Sequence, residues 1–202
     1  MNKPNYTTST WEKWHTHGEV SKVLKDVRSL NNEVCQAEYV NKITNIQTAD
    51  TFSILEIGPA DGGMALNLLL DHNSKIHNYT VVDAQSMLTP CSVTLAKYKQ
   101  VNYIPIKDVL TIADTSFDLL IANHCLEETP VHYQHMIYKT FFPNVNEVFL
   151  LCSTGITGFP GDEWVFDQKH LESELQNNFS TVEILPGHRL SRDHQKVFYG
   201  KK

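Results

Sequence analysis

Apolar residues recur along this chain with two different periods, and the change falls near residue 50. Before it the spacing is helical. Ser9, Thr10, Trp11 and Glu12 have the form of a capping box, and Trp11, Trp14, Val20, Leu24, Val27 and Leu30 continue at amphipathic-helix intervals, interrupted near Gly18. Between Glu33 and Ile46 the residues Val34, Ala37, Val40 and Ile43 recur every third position, which predicts a second helix. From Phe52 onward short, nearly continuous apolar runs alternate with longer helical stretches. The predicted strands are FSILEIG (52–58), NYTVVDA (78–84), VNYIPI (101–106), FDLLIAN (117–123) and EVFLLCS (147–153). Strands of that character are buried on both faces, as in a parallel sheet with helices above and below. The glycine-rich TGITGFPGDEW marks a loop, followed by a helix at about Asp167 to Asn178. TVEILPG and QKVFYGKK then form two strands joined by a short polar turn, so the last pair is predicted antiparallel. The expected fold is α/β: a doubly wound, mostly parallel seven-stranded sheet with its last strand antiparallel, plus an N-terminal helical segment. Residues 1–50 form that segment and 51–202 the α/β domain.

Composition narrows the partners more than it narrows the fold. The 202 residues are 41% hydrophobic and 20% charged, as in an ordinary single-core domain. No run approaches the roughly 18 apolar residues that span a bilayer, so no membrane partner is expected. The start, MNKPNYTTSTWEKW, lacks the apolar centre of a secretory signal, and a cytoplasmic protein is expected. A formal charge of −6 argues against a broad nucleic-acid surface, since phosphate neutralisation needs clustered Lys and Arg. The locally basic C-terminal HRLSRDHQKVFYGKK is the plain solvated face that most charge runs are. Cys35, Cys91, Cys125 and Cys152 lie far apart without a CxxC pair, which predicts reduced, mostly buried thiols.

The stretch SILEIGPADGGMALNLLLDH carries the candidate chemistry, because the first strand-to-helix turn of an open α/β sheet is the usual ligand cradle. A dinucleotide fingerprint would need glycines at 58, 60 and 63, and this chain has Gly58, Ala60 and Gly63. Pro59 removes a backbone donor from that turn, and Asp61 puts a negative charge where phosphate would sit. Taken instead as Glu56-x-Gly58-x-Ala60-x-Gly62, an acid on the strand followed by small residues at alternate positions, the turn resembles motif I of the class I S-adenosylmethionine-dependent methyltransferases. Ala60 in place of the middle glycine is the departure. The resemblance implies S-adenosyl-L-methionine as cofactor, with Glu56, Gly58, Ala60 and Gly62 around its amino-acid tail. It also implies that Asp83, at the second strand's end, holds the ribose, that Asp108 faces the adenine amine, and that Asn123, at the fourth strand's end, borders the methyl group. Outside the resemblance, Glu56 could simply cap a neighbouring backbone and Asp83 could be a turn residue.

Transfer to a hydroxyl calls for a base or a metal, and NHCLEETPVHYQH, after the fourth strand, offers such groups. His124 is the candidate catalytic base. Glu127, Glu128 and His132 are candidate acceptor-binding residues, joined from above by Trp14 and His15 of the N-terminal segment and Trp164 of the glycine-rich loop. A metal held by His132, His135 and one of the two glutamates is the competing reading, but the spacing lacks a tight ligand pattern and no metal is expected. The acidic balance favours a small-molecule acceptor, with an O-methyltransferase as the form considered. A cofactor-holding scaffold without turnover, an aminopropyltransferase and a nicotinamide enzyme are the alternatives. No oligomeric state is written in the sequence.

Overall fold

Seven strands form one sheet in the computed structural model, which describes residues 36–154, 166–186 and 195–202. They are β1 (Phe52–Ile57), β2 (Ile76–Asp83), β3 (Val101–Pro105), β4 (Phe117–Asn123), β5 (Val145–Ser153), β6 (Thr181–Pro186) and β7 (Gln195–Lys201), in the order β3-β2-β1-β4-β5-β7-β6. The first five pair in parallel, and β7 runs antiparallel to both β5 and β6. The fold is therefore the doubly wound, mostly parallel α/β sheet that the alternating pattern predicts. Strand order runs outward from β1 through β2 to β3 and, in the other direction, from β4 to β5. The carboxyl ends of β1 and β4 thus flank the switch point where such sheets open a crevice.

Among the described residues four helices connect the strands: α1 (Gly63–His72), α2 (Gln85–Thr94), α3 (Val131–Phe141) and α4 (Gln168–Asn178). The β3–β4 connection is only a 3₁₀ helix, Ile106–Ile112. Strand boundaries shift slightly from those predicted, because β2 starts two residues early, at Ile76, where a register irregularity lets it meet Phe52.

Every residue of β1 is buried, and successive side chains divide between two cores. Ile54, Leu119 and Ile121 face Leu68, Leu69, Tyr79 and Phe149 on one side. Leu55, Leu120 and Ala122 face Ile137, Phe141, Leu171 and Phe198 on the other. Period-two alternation on a sheet covered on both faces requires such a division. Burying one Leu or Ile in this way contributes roughly 1.5–3 kcal/mol. A helix over residues 36–43 adds Ala37 and Val40 to the first core. The short 3₁₀ turn Asn45–Gln47 is fastened to β5 by Glu147, which accepts hydrogen bonds from the Asn45 amide and the Tyr199 hydroxyl, each at 3.1 Å. The capping box and Trp11-to-Leu30 helix expected earlier in the chain lie outside the described residues. Among the described residues no helix is long and apolar enough to cross a membrane. Cys91, Cys125 and Cys152 are free and buried.

Candidate functional site

The corner after β1 turns sharply by placing three of five residues in the left-handed region: Gly58 (φ 73°), Ala60 (φ 52°) and Gly62 (φ 87°). Gly58 also has no room for a side chain, since a Cβ there would lie 2.4 Å from the Cβ of Cys125. Cys125 follows β4 and donates its thiol to the Ile57 carbonyl at 3.0 Å, so the ends of β1 and β4 are clamped together. The Gly58 amide in turn donates to the Val82 carbonyl at 2.9 Å and holds β2 alongside.

This corner is not a phosphate cradle. Gly62 is the N-cap of α1, and the carboxylate of Asp61 already accepts a hydrogen bond from the Gly63 amide at 3.2 Å. A helix N-terminus with its own carboxylate on a free donor repels a further anion. Behind the corner, Glu56 is 2% exposed and accepts the Tyr79 hydroxyl at 2.7 Å. Burial first, then the charges of Glu56, Asp83 and Asp61, pushes the Cys91 thiol far up and keeps it protonated. The surroundings are acidic and suit a cation.

Asp83 ends β2 at 1% exposure, and its Oδ1 accepts the Ala84 amide at 2.7 Å. Asn123 ends β4; its amide nitrogen donates to Gln36 Oε1 at 3.4 Å, while its Oδ1 is buried with no hydrogen-bond partner among the described residues. Buried acceptors are nearly always satisfied, so this oxygen is suited to a donor brought by a ligand. The structure thus brings Glu56, Gly58, Ala60, Gly62, Asp83 and Asn123 to the carboxyl ends of three adjacent strands. Asp108 stands one strand farther out, exposed in the first turn of the 3₁₀ helix after β3.

His124 follows Asn123 in an unusual backbone state, φ 53°, held by its amide donating to the Leu151 carbonyl at 2.8 Å. For a non-glycine residue that conformation costs roughly 1–3 kcal/mol, and such strain concentrates where side-chain direction matters. The ring's Nδ1 is 2.9 Å from Glu127 Oε1, which also accepts the Ser153 amide at 2.9 Å. Its Nε2 is 3.2 Å from the side-chain nitrogen of Gln195. The imidazole is 27% exposed and the Glu127 side chain 5%, so the glutamate lies behind the histidine. Glu128 is partly buried, and burial followed by the Glu127 charge, offset by His124 and reinforced by Asp83, pushes its carboxyl up to about 7.

Of the remaining candidates, His132 on α3 is exposed and stacks on Tyr133 at 4.5 Å. His135 is turned to α4, with Asp167 at 3.7 Å and the His170 ring at 3.9 Å, so the HxxH pair does not converge with the glutamates. Among the described residues no group of three or more His, Cys, Asp or Glu is arranged to hold a metal. Trp14, His15 and Trp164 lie outside the described residues. Sequence reasoning missed Ser153 and Gln195. Neither has a local signal: the parallel pairing of β4 with β5 brings Ser153 beside His124, and the pairing of β5 with β7 sets Gln195 opposite Ser153.

No family model and no curated protein matches the sequence. Solved structures do match in fold. A candidate O-methyltransferase of Nostoc punctiforme PCC 73102 superposes with a TM-score of 0.63 at 14% identity, over 85% of this chain and 56% of its own. The mitomycin 7-O-methyltransferase MmcR gives 0.64 at 12% identity, over 98% and 62%. The N-terminal domain of EvdMO1, solved in the presence of SAH and D-fucose, gives 0.60 at 15% identity, over 84% and 82%. The chain thus has the fold of class I methyltransferases, and it spans little more than half the length of the first two of these neighbours.

Proposed function

We propose that the protein is an S-adenosylmethionine-dependent methyltransferase acting on the hydroxyl of a small-molecule acceptor. The observation that carries this reading is the corner at the switch point, acidic and closed to phosphate by the contact of Asp61 with the Gly63 amide, beside Asp83 at the end of β2. S-adenosylmethionine has no phosphate and a net positive charge, so these residues fit it where they would repel a dinucleotide. The fold shared with O-methyltransferases, and with a domain solved in the presence of SAH, supports the same cofactor. When bound, the cofactor supplies a methyl group on a cationic sulfur.

The chain's own residues supply the rest. The backbone of Gly58 to Gly62 gives the amino-acid tail close approach, and the orphaned Oδ1 of Asn123 accepts an N–H from its ammonium group. Asp83 accepts the ribose hydroxyls, with Asp108 toward the adenine side. His124, one residue past Asn123, takes the acceptor's proton at Nε2 as the acceptor oxygen gains the methyl. Glu127 keeps the Nδ1 proton in place and stabilises the imidazolium that forms, while Glu128 and His132 are assigned to the acceptor side. Isothermal titration with S-adenosylmethionine, S-adenosylhomocysteine and NAD tests the cofactor. Tight NAD binding with no response to the first two would end the proposal. A labelled-cofactor screen over hydroxylated metabolites then tests turnover.

A further inference from the structure

Both ring nitrogens of His124 are engaged, and they are engaged unequally. On the Nδ1 side stands a carboxylate oxygen, Glu127 Oε1, at 2.9 Å, with Ser153 Oγ at 3.4 Å. A carboxylate only accepts, so the proton of the neutral ring is on Nδ1 and the lone pair is on Nε2. That lone pair faces the side-chain amide of Gln195, whose nitrogen is 3.2 Å away. An amide nitrogen donates, and the two assignments agree with each other. The nitrogen required to take the acceptor's proton is therefore already occupied by a group from the sheet's far side, 71 residues along the chain.

The contact is built into the sheet. Gln195 is the first residue of β7, and antiparallel pairing sets it opposite Ser153, the last residue of β5. Directly opposed residues project to the same face, so Ser153 and Gln195 reach the His124 ring together. Among the described residues, the charged groups that act on the ring are Glu127 and Glu128, from the turn after β4, and the side chains that β5 and β7 bring to it, Ser153 and Gln195, are neutral.

We propose that Gln195 is a positioning residue that holds the Nε2 lone pair of His124 until an acceptor bearing O–H or N–H displaces its amide. The inference rests on the proposed role of His124 as base. An acceptor hydroxyl replaces one donated hydrogen bond by another, so the exchange costs little. A thioether or tertiary amine has no hydrogen to offer and leaves Gln195 on the ring. Gln195 thereby selects acceptors by their ability to donate.

The test uses the full chain without cofactor or acceptor. Long-range ¹H–¹⁵N correlation spectra of the histidine rings are recorded across pH for the wild type, Gln195→Ala and Gln195→Leu, with His124 assigned by its loss in His124→Gln. In the wild type, neutral His124 carries its proton on Nδ1. In both Gln195 variants the tautomer stays, the Nε2 resonance moves toward the value of a free imidazole nitrogen, and the titration midpoint rises by about half to one pH unit, the size of one lost hydrogen bond to the neutral form. With an acceptor in hand, the acid limb of the kcat/KM profile moves up by the same amount. A wild-type ring protonated on Nε2, or Nε2 resonance and midpoint unchanged in both folded variants, overturns the proposal. The spectra need no methyl transfer, so a wild type that shows the contact yet transfers no methyl to any donor-bearing acceptor defeats the proposed function and leaves the contact standing.

Discussion

At the residue scale the site is governed by a few side chains whose surroundings leave little freedom. His124→Ala removes the imidazole at the end of β4 and is expected to lower turnover by about 10²- to 10⁴-fold while cofactor affinity, measured by calorimetry, stays close to wild type. Loss of cofactor binding instead would move His124 into the adenosine pocket. Gly58→Ala faces two separate penalties: roughly 1–2 kcal/mol for a Cβ at φ 73° and about 1–3 kcal/mol for overpacking against Cys125. In a Cys125→Gly background only the first should remain, so denaturant titrations of the double-mutant cycle separate strain from collision. Glu128 makes a prediction in pH. Its carboxyl lies near 7 in the fold against an ordinary 4.5, so folding favours its protonated form. That contribution is complete below about 4.5 and is lost as the pH rises through 7. Relative to Glu128→Gln, which never ionises, the wild type should lose up to ~3 kcal/mol of stability between those limits. A difference that stays flat with pH would show that the carboxyl titrates normally.

At the element scale, what was legible in the sequence was whatever leaves a local mark. β1 and β4 announced themselves as nearly continuous apolar runs because both faces of each are covered. α4 was legible as the stretch that follows a glycine-rich loop, and the structure adds what fixes its start, Asp167 as N-cap with its Oδ1 accepting the His170 amide at 3.0 Å. Asp167→Ala is expected to cost about 0.5–2 kcal/mol in thermal unfolding, and Asp167→Ser to recover most of it. Equal loss in both variants would point instead to the His135 contact at 3.7 Å. The insertion of β7 between β5 and β6 left no such mark, since a period of two says which face a residue takes and not which strand lies beside it. That one pairing brings Gln195 to His124, and so the part of the site that depends on it was hidden. The corner was legible for the opposite reason: its small residues and its acids are contiguous, from Glu56 to Gly63. The 3₁₀ connection after β3 was hidden as well, and it leaves Asp108 exposed, one strand out from the switch point.

At the scale of the whole molecule, charge and topology make the same selection. The chain carries a formal charge of −6, and Glu56, Asp83, Glu127 and Glu128 all fall at the carboxyl side of the sheet, around the switch point. Burial first, and then the neighbouring charges of Glu127 and Asp83, push the Glu128 carboxyl up to about 7. A cationic ligand relieves that repulsion and an anionic one worsens it. The two ligands of a methyl-transfer cycle differ in this respect, since the sulfonium of S-adenosylmethionine is positive and the thioether of S-adenosylhomocysteine is neutral. A thermal-shift panel is therefore expected to rank S-adenosylmethionine above NAD and NADP, and a ligand at 100 times its dissociation constant should stabilise the fold by about 2.7 kcal/mol. The lead of S-adenosylmethionine over S-adenosylhomocysteine should grow as the pH is raised through 7 and Glu128 ionises, and it should shrink in Glu128→Gln. A preference for NADP would contradict both the self-capped helix and the acidic crevice. A lead that ignores pH would mean that Glu128 stands too far from the sulfur to feel its charge, and would move the carboxyl to the acceptor's side of the site.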